Sequence, residues 1–383
     1  MDNRLAIKLA IIDPVGNKAG MDYYDLSLLD SISKLSIKTY LFTNYEKKNK
    51  EINIYHYFDT RAKNKRIYIF NLFKGFVKAI KKCKEERIHF VIYHIFSTSF
   101  LNLLPILLVR SFNLKLIAIA HDISGFADND VGFFKKLIYD RLTNKIIVHN
   151  SYSYKEISKV LHKKSLKKVS VIKHGGYSNL INQNINKEKA LKELNLNNSN
   201  KYILFFGQIK RVKGLDILLK AMPSIHNNIK LIIAGQLWRD DFKKYQEIID
   251  LNHTENRIIK IIRFISDKER ELLFKASDAL IIPYRTIFQS GVLLMGMGYG
   301  LPIVASDLEP NKEIIKHAFN GILFKSEDER SLAEEINVLL NNTDLISYIG
   351  KNAQKTIEEE FSWDTIANEY VEKILVSCKK GEV

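Results

Sequence analysis

Cysteine is scarce: the 383 residues hold 2, Cys83 and Cys378, far apart and in no metal-ligand spacing. That excludes a disulfide framework and a cysteine-based zinc site, and it suits a reducing compartment. Proline numbers only 6 against a hydrophobic share of 46%, the composition of an ordered globular chain rather than a disordered or fibrous one. Long apolar runs are missing too. The most lipid-like stretch, LNLLPILLV from Leu101 to Val109, falls far short of the roughly 20 residues that span a bilayer. The opening MDNRLAIKLAIIDP ends on Asp13 and Pro14 without the small-residue cleavage site of a secretory signal. The expected location is the cytoplasm, with any membrane contact peripheral and at the inner face of the cell membrane.

Acidic residues are also few in one half. Residues 1–175 hold 31 Lys and Arg against 15 Asp and Glu, whereas residues 176–383 hold 28 of each, so the whole net charge of +16 sits in the first half. A field confined in this way attracts anionic partners such as phospholipid head groups or phosphates. A nucleic-acid partner is not expected, because no aromatic-interleaved basic motif or recognition helix accompanies the charge. A lysine-rich solvated surface explains the count more plainly, but not its confinement.

Short β-rich runs alternate with helical patterns throughout, which predicts parallel sheets with crossover helices. Strands are expected at Leu5–Ile12, Ile37–Phe42, Phe90–Ile95, Lys115–His121, Lys145–Asn150 and Val169–His174, then at Tyr202–Phe206, Leu231–Ala234, Ile258–Phe264, Ala279–Pro283, Ile303–Ser306 and Gly321–Phe324. The length exceeds what one core serves. The expected domains are 1–175, a linker over 176–200, 201–362, and a C-terminal helix over 363–383 that can cross back to the first domain. Ligands of such sheets bind beyond the carboxyl ends of the strands.

Two segments carry chemistry. In YILFFGQIKRVKGLDILLKAM, residues 202–222, a strand runs into a basic loop and then an amphipathic helix. Gly207 and Gly214 permit close backbone approach, while Lys210, Arg211 and Lys213 supply cations suited to a diphosphate. The spacing is not that of a P-loop. In PYRTIFQSGVLLMGMGYGLPIVASDLEPNKEII, residues 283–315, Gln289 and Ser290 precede a short helix opened by Gly291. Free N–H groups at Gly291 and Val292, with the helix dipole, make an anion site there. Glu313 follows on the next helix, and close helix packing accounts for Gly296 and Gly298. No metal site is expected.

Together these segments resemble the donor-binding domain of the family 4 glycosyltransferases, from about Tyr202 to Trp363 and including the FSW start of a final helix. The resemblance implies an α/β fold of GT-B type, two facing Rossmann-like domains with a cleft between them. It implies a retaining transferase that takes its sugar from a nucleotide diphosphate donor, needs no cofactor, and delivers to a saccharide or lipid-linked acceptor in surface polysaccharide or glycolipid synthesis. Lys213 matches the family's phosphate lysine, and Lys210 or Arg211 would replace its arginine, which is Gln208 here. The family's paired glutamates fall at Ile287 and Met295, so this chain resembles a branch with a QSGVL segment that binds phosphates through Ser290, Gly291 and Val292. Glu309 and Glu313 remain for the ribose. In the first half the likeness is looser. The loop DPVGNKAG, with Gly16 and Gly20, matches a glycine-bearing loop near the donor phosphates, and His121 of IAIAHDISGF matches a histidine facing the transferred sugar. His121 also has a structural reading, and His149 and His174 have only that. A non-catalytic partner subunit with a degraded donor site is the alternative.

Two stretches bear on the membrane. Residues 66–87 place Phe70, Phe73, Val77 and Ile80 on one helical face, which packing on the sheet explains most simply. Phe133 and Phe134 beside Lys135 and Lys136 are the better candidate for resting on anionic lipid.

Overall fold

The computed structural model describes residues 7–376 apart from 15, 17–20, 48, 63, 99, 122, 124–131 and 239–240. Gly20, Asp122 and Cys378 lie outside the described residues. The chain divides into two compact units, Met1–Gly175 with Trp363–Val383, and Gly176–Ser362.

The first unit is built on β1 Lys8–Asp13, β2 Lys38–Thr43, β3 Ile52–His56, β4 Phe90–Ile95, β5 Lys115–Ala120, β6 Lys145–Val148 and β7 Val169–Val171. They form one sheet in the order β3-β2-β1-β4-β5-β6-β7, every pair parallel. Strands covered on both faces are near-continuous apolar runs, and FVIYHI of β4 is buried at all six positions. The order reverses between β1 and β4, the switch point at which α/β sheets open a crevice. β3 was not anticipated: INIYH lies at the sheet edge and is buried on little more than Ile52, so its sequence carries no apolar run.

Its helices include α1 Asp22–Ser33, α2 Lys65–Glu85, α3 Phe100–Ser111 and the short α4 Gly132–Lys136. Asn64 caps α2 by accepting hydrogen bonds from the N–H groups of Arg66 and Ile67. Packing on the sheet accounts for only part of the α2 stripe. Ile80 is buried, whereas Phe70 and Phe73 are 65% and 48% exposed, because α2 outruns the surface it covers.

The second unit holds β8 Lys201–Phe206, β9 Ile229–Ala234, β10 Ile258–Ile261, β11 Ala279–Ile282, β12 Ile303–Ser306 and β13 Ile322–Phe324 in the parallel order β10-β9-β8-β11-β12-β13. Its switch point lies between β8 and β11. The helices that matter below are α5 Lys187–Glu193, α6 Leu215–Ala221, α7 Asp267–Ala276, α8 Gly291–Gly298, α9 Glu309–Lys312 and α10 Thr343–Glu360. Within residues 176–200, α5 packs against α7 and buries Ala190 and Leu191 in the core of this unit.

After Ser362 the chain re-enters the first unit as α11 Trp363–Tyr370, which packs on α1. Trp363 is buried against Gly175, where a Cβ would lie 2.1 Å from the indole, so only glycine fits. The Tyr370 hydroxyl meets that of Tyr24 at 2.7 Å. Trp363→Ala should lower the stability of this unit by about 3–5 kcal/mol, the usual loss for a buried aromatic. Urea unfolding followed by fluorescence checks it, and an unchanged midpoint would mean α11 is not integral to this core.

Candidate functional site

At the switch point of the second unit, β8 ends in Gly207 at φ +106, and the chain turns through Lys210 into a single 3-10 turn, Arg211–Lys213. Gly214 leaves it at φ +66, with its α-carbon so near Pro283 that an added Cβ would lie 1.8 Å from the Pro283 carbonyl oxygen. Both glycines stand where the left-handed region is demanded. α6 then starts and buries Leu215, Leu218 and Leu219, which anchors the turn to the core.

The second motif closes on the first. A Cβ at Gly207 would lie 3.6 Å from Val292 Cγ2, so the end of β8 and the first turn of α8 are neighbours. Lys213 Nζ sits 3.6 Å from the ring centre of Tyr284, a cation–π contact. Burial pushes the Tyr284 phenol up to about 12, offset by a hydrogen bond from Ser290 and by the nearby charge of Lys210. Tyr284 is therefore a neutral platform between the lysine turn and α8. Ser290 is buried and caps α8, its hydroxyl oxygen accepting from the Leu293 N–H at 3.2 Å. The leading N–H groups of α8, at Gly291 and Val292, have no acceptor within the helix.

Arg285, which the sequence did not single out, holds the turn in shape. Its guanidinium donates twice to Asp216, at 2.8 and 2.7 Å, and to the Arg211 carbonyl at 3.0 Å, while its own N–H donates to the Val212 carbonyl at 2.9 Å. Asp216 carries its carboxyl below the usual range; burial opposes the shift, and the bidentate arginine wins. Tyr284 was missed as well. Both follow a strand end directly, where a polar side chain is the available signal. The structure thus brings Gly207, Lys210, Arg211, Lys213, Ser290, Gly291 and Val292 together near the carboxyl ends of β8 and β11, with Gln289 half-buried beside Ser290. Glu313 is exposed, capping the end of α9. Ile287 and Met295 are half-buried apolar residues packed on the core.

In the first unit, Gly16 is buried just beyond β1, where a Cβ would lie 2.8 Å from Asp13 Oδ2. His121 follows β5 directly. Its Nε2 meets His94 Nδ1 at 2.8 Å, and His94 Nε2 meets Asp25 Oδ1 at 2.8 Å. Asp25 is in turn hydrogen-bonded to Asp13. One polar chain thus joins Gly16's neighbour Asp13 to His121. Burial raises the Asp25 carboxyl well above its ordinary range, and burial lowers His94 to about 4, so the contact is a neutral hydrogen bond rather than an ion pair. His94 was not anticipated; a lone histidine in the buried run FVIYHI is its signal. His149 and His174 also surround the Tyr24 ring and donate to the carbonyls of Ile172 and Gly175 at 2.9 and 2.7 Å. Burial lowers them to about 3 and about 4, and burial with the adjacent imidazoles lowers His121.

Two outcomes follow from this geometry. Gly214→Ala should cost more than the ~1–2 kcal/mol of a left-handed alanine, because the methyl also strikes Pro283, whereas Gly132→Ala meets nothing within 4 Å and should be neutral. Thermal denaturation of the two variants compares them, and equal midpoints would contradict the packing. The histidines set a pH dependence. Unfolded imidazoles take up protons below about pH 6.5, whereas in the fold His94, His149 and His174 stay neutral down to about 4, 3 and 4. The histidine contribution is therefore full above about pH 6.5 and is lost as pH falls toward 4, opposed in part by Asp25, whose raised carboxyl takes its proton more readily in the fold. The urea midpoint should drop between pH 7.5 and 5, and the drop should be shallower in His149→Gln.

Residues 186–356 match the family model described as glycosyl transferases group 1. An uncharacterized glycosyltransferase of Methanocaldococcus jannaschii is 32% identical over 47% of this chain and 46% of its own length. The capsular polysaccharide biosynthesis glycosyltransferase CapM of Staphylococcus aureus is 22% identical over 65% of this chain and 66% of its own. The chain thus spans about half the length of the first of these curated relatives. Among solved structures, that of HepE from Anabaena in complex with UDP and glucose has a TM-score of 0.75 at 18% identity, covering 97% of this chain and 100% of that one. Two parallel α/β units and this likeness give the chain the Rossmann-like fold of the GT-B glycosyltransferases, and residues 186–356 are similar to the glycosyl transferases group 1 model.

Proposed function

We propose that this protein is a retaining glycosyltransferase that moves a sugar from a nucleotide diphosphate donor to a saccharide or lipid-linked acceptor in surface polysaccharide or glycolipid synthesis. The observation that carries the reading is the convergence of the Lys213 turn and the α8 N-terminus at one strand-end crevice. An anion placed there meets Lys210, Arg211 and Lys213 on one side and the N–H groups of Gly291 and Val292 on the other. As the bond between the anomeric carbon and the β-phosphate oxygen breaks, charge grows on the diphosphate, and these preorganised groups stabilise it. The acceptor hydroxyl oxygen bonds to the anomeric carbon as the diphosphate leaves, its proton passing to a departing phosphate oxygen, and no covalent enzyme intermediate is invoked. In the first unit, His121, whose imidazole burial drives toward the neutral form, is a hydrogen-bonding group suited to a hydroxyl-bearing ligand. The UDP and glucose in the HepE complex and the capsular role in the name of CapM support this choice of donor and pathway class. Retention of configuration rests on the family resemblance.

The acceptor is met at an anionic membrane through the basic first unit. Phe133, 69% exposed beside Lys135 and Lys136, supports that placement. Among the described residues no helix is long and apolar enough to cross a bilayer, so the contact is with the surface. Ile287 and Met295, in place of the family glutamates, favour a second reading as a non-catalytic partner subunit; donor hydrolysis by the purified chain separates the two.

Thermal stabilisation by UDP-, GDP-, ADP- and TDP-sugars should single out one nucleotide, and Lys213→Ala should remove most of that shift. A full shift in the variant would mean that the phosphates sit elsewhere. With the matching acceptor, loss of this charge should lower kcat by about 10²–10³, as for other removed transition-state donors.

A further inference from the structure

Helices α2 and α3 lie in contact, and both belong to crossovers that step in one direction along the sheet, from β3 to β4 and from β4 to β5. Right-handed crossovers of that kind place them side by side on one sheet face. Their outer surface carries Ile67, Phe70, Phe73, Leu104 and Leu107, exposed by 53%, 65%, 48%, 38% and 41%. Between them runs a groove of about 400 Å³ walled by Phe70, Phe73, Phe76, Leu104 and Pro105, with Arg66 at its rim. Contiguous apolar surface of this kind marks an interaction site.

Charge says what covers it. From Thr60 to His121 the chain carries 12 Lys and Arg and only 2 acids, Glu85 and Glu86. Both acids are engaged by Lys82, at 3.4 and 3.0 Å. Lys65, Arg66, Lys74 and Lys81 are exposed around the apolar strip. The face is built of two helices and offers no strand edge for a partner strand to pair with. Phenyl rings ringed by cations suit a partner with an anionic surface and an apolar interior.

We propose that the α2–α3 groove receives a hydrocarbon chain of an anionic phospholipid, with Phe70 and Phe73 entering the head-group boundary and Arg66 and the lysines meeting lipid phosphates. This extends the membrane part of the reading above to a defined surface, and it stands on this unit alone, independent of the donor crevice. Helices that lie in the interface combine these two contributions, apolar insertion and attraction to charged lipid.

Vesicle flotation tests it, with the full chain and either phosphatidylcholine alone or phosphatidylcholine with phosphatidylglycerol. The wild type should bind the phosphatidylglycerol vesicles at least about tenfold more tightly than the neutral ones. Phe70→Asp with Phe73→Asp should abolish flotation, and Arg66→Glu with Lys74→Glu should remove the preference for anionic lipid. Both pairs are exposed, and nucleotide-sugar stabilisation measured on the same samples should be unchanged. Undiminished flotation of the phenylalanine variant would overturn the proposal. So would equal binding to both vesicle types, or a dimer in light scattering that the phenylalanine variant converts to monomer while the wild type ignores vesicles; that last result would assign the face to a second copy of the chain. Loss of nucleotide-sugar stabilisation in the wild type, with flotation intact, would count against the donor crevice and leave the groove standing.

Discussion

Where β8 and β11 part, the turn from Gly207 to Gly214 lies so close to Pro283 that no side chain fits at position 214. That contact fixes the rest of the crevice. It sets Lys213 over Tyr284, brings Arg285 within reach of both the Arg211 carbonyl and Asp216, and leaves Gly207 beside the first turn of α8. Cations clustered at a strand end would repel one another and splay. Here the turn is held instead by backbone hydrogen bonds to Arg285, whose own charge is balanced by Asp216 and Glu327. The positive groups that remain face one place, which is what a diphosphate needs, and they need little rearrangement when it arrives.

The first unit follows another logic. Its sheet also opens at a switch point, but burial there works against charge: it lowers the imidazoles of His94 and His149, raises the Asp25 carboxyl, and packs the rings around Tyr24. Such groups donate and accept hydrogen bonds without imposing charge, which suits hydroxyl-bearing ligands. The excess positive charge is carried on the surface of this unit instead, around exposed aromatic side chains on α2. Acidic residues are sparse there, so the field is left uncancelled.

Much of this was legible in the sequence, for physical reasons. Parallel strands covered on both faces must be apolar throughout, so β4, β5, β8 and β12 announce themselves, and the glycine-basic-glycine loop marks a strand-to-helix turn. β3 could not be read because it is fully buried only at Ile52 and so carries no apolar run. The exposed half of α2 could not be read either. Periodicity shows that Phe70 and Phe73 share a face with Ile80, not where the sheet beneath that face ends. Arg285 and His94 escaped notice for a related reason: each acts through partners distant in sequence, Asp216 in one case and Asp25 with His121 in the other. Single residues with such partners leave no local pattern.

The central claim is that phosphate oxygens of a donor lie between the Lys213 turn and the start of α8. Diffraction from crystals of this chain grown with the stabilising nucleotide diphosphate tests it most directly. Phosphate oxygens within hydrogen-bond distance of Lys213 Nζ and of the N–H groups of Gly291 and Val292 are the result expected. Nucleotide density in another crevice, with this one filled by the protein's own side chains, would contradict it.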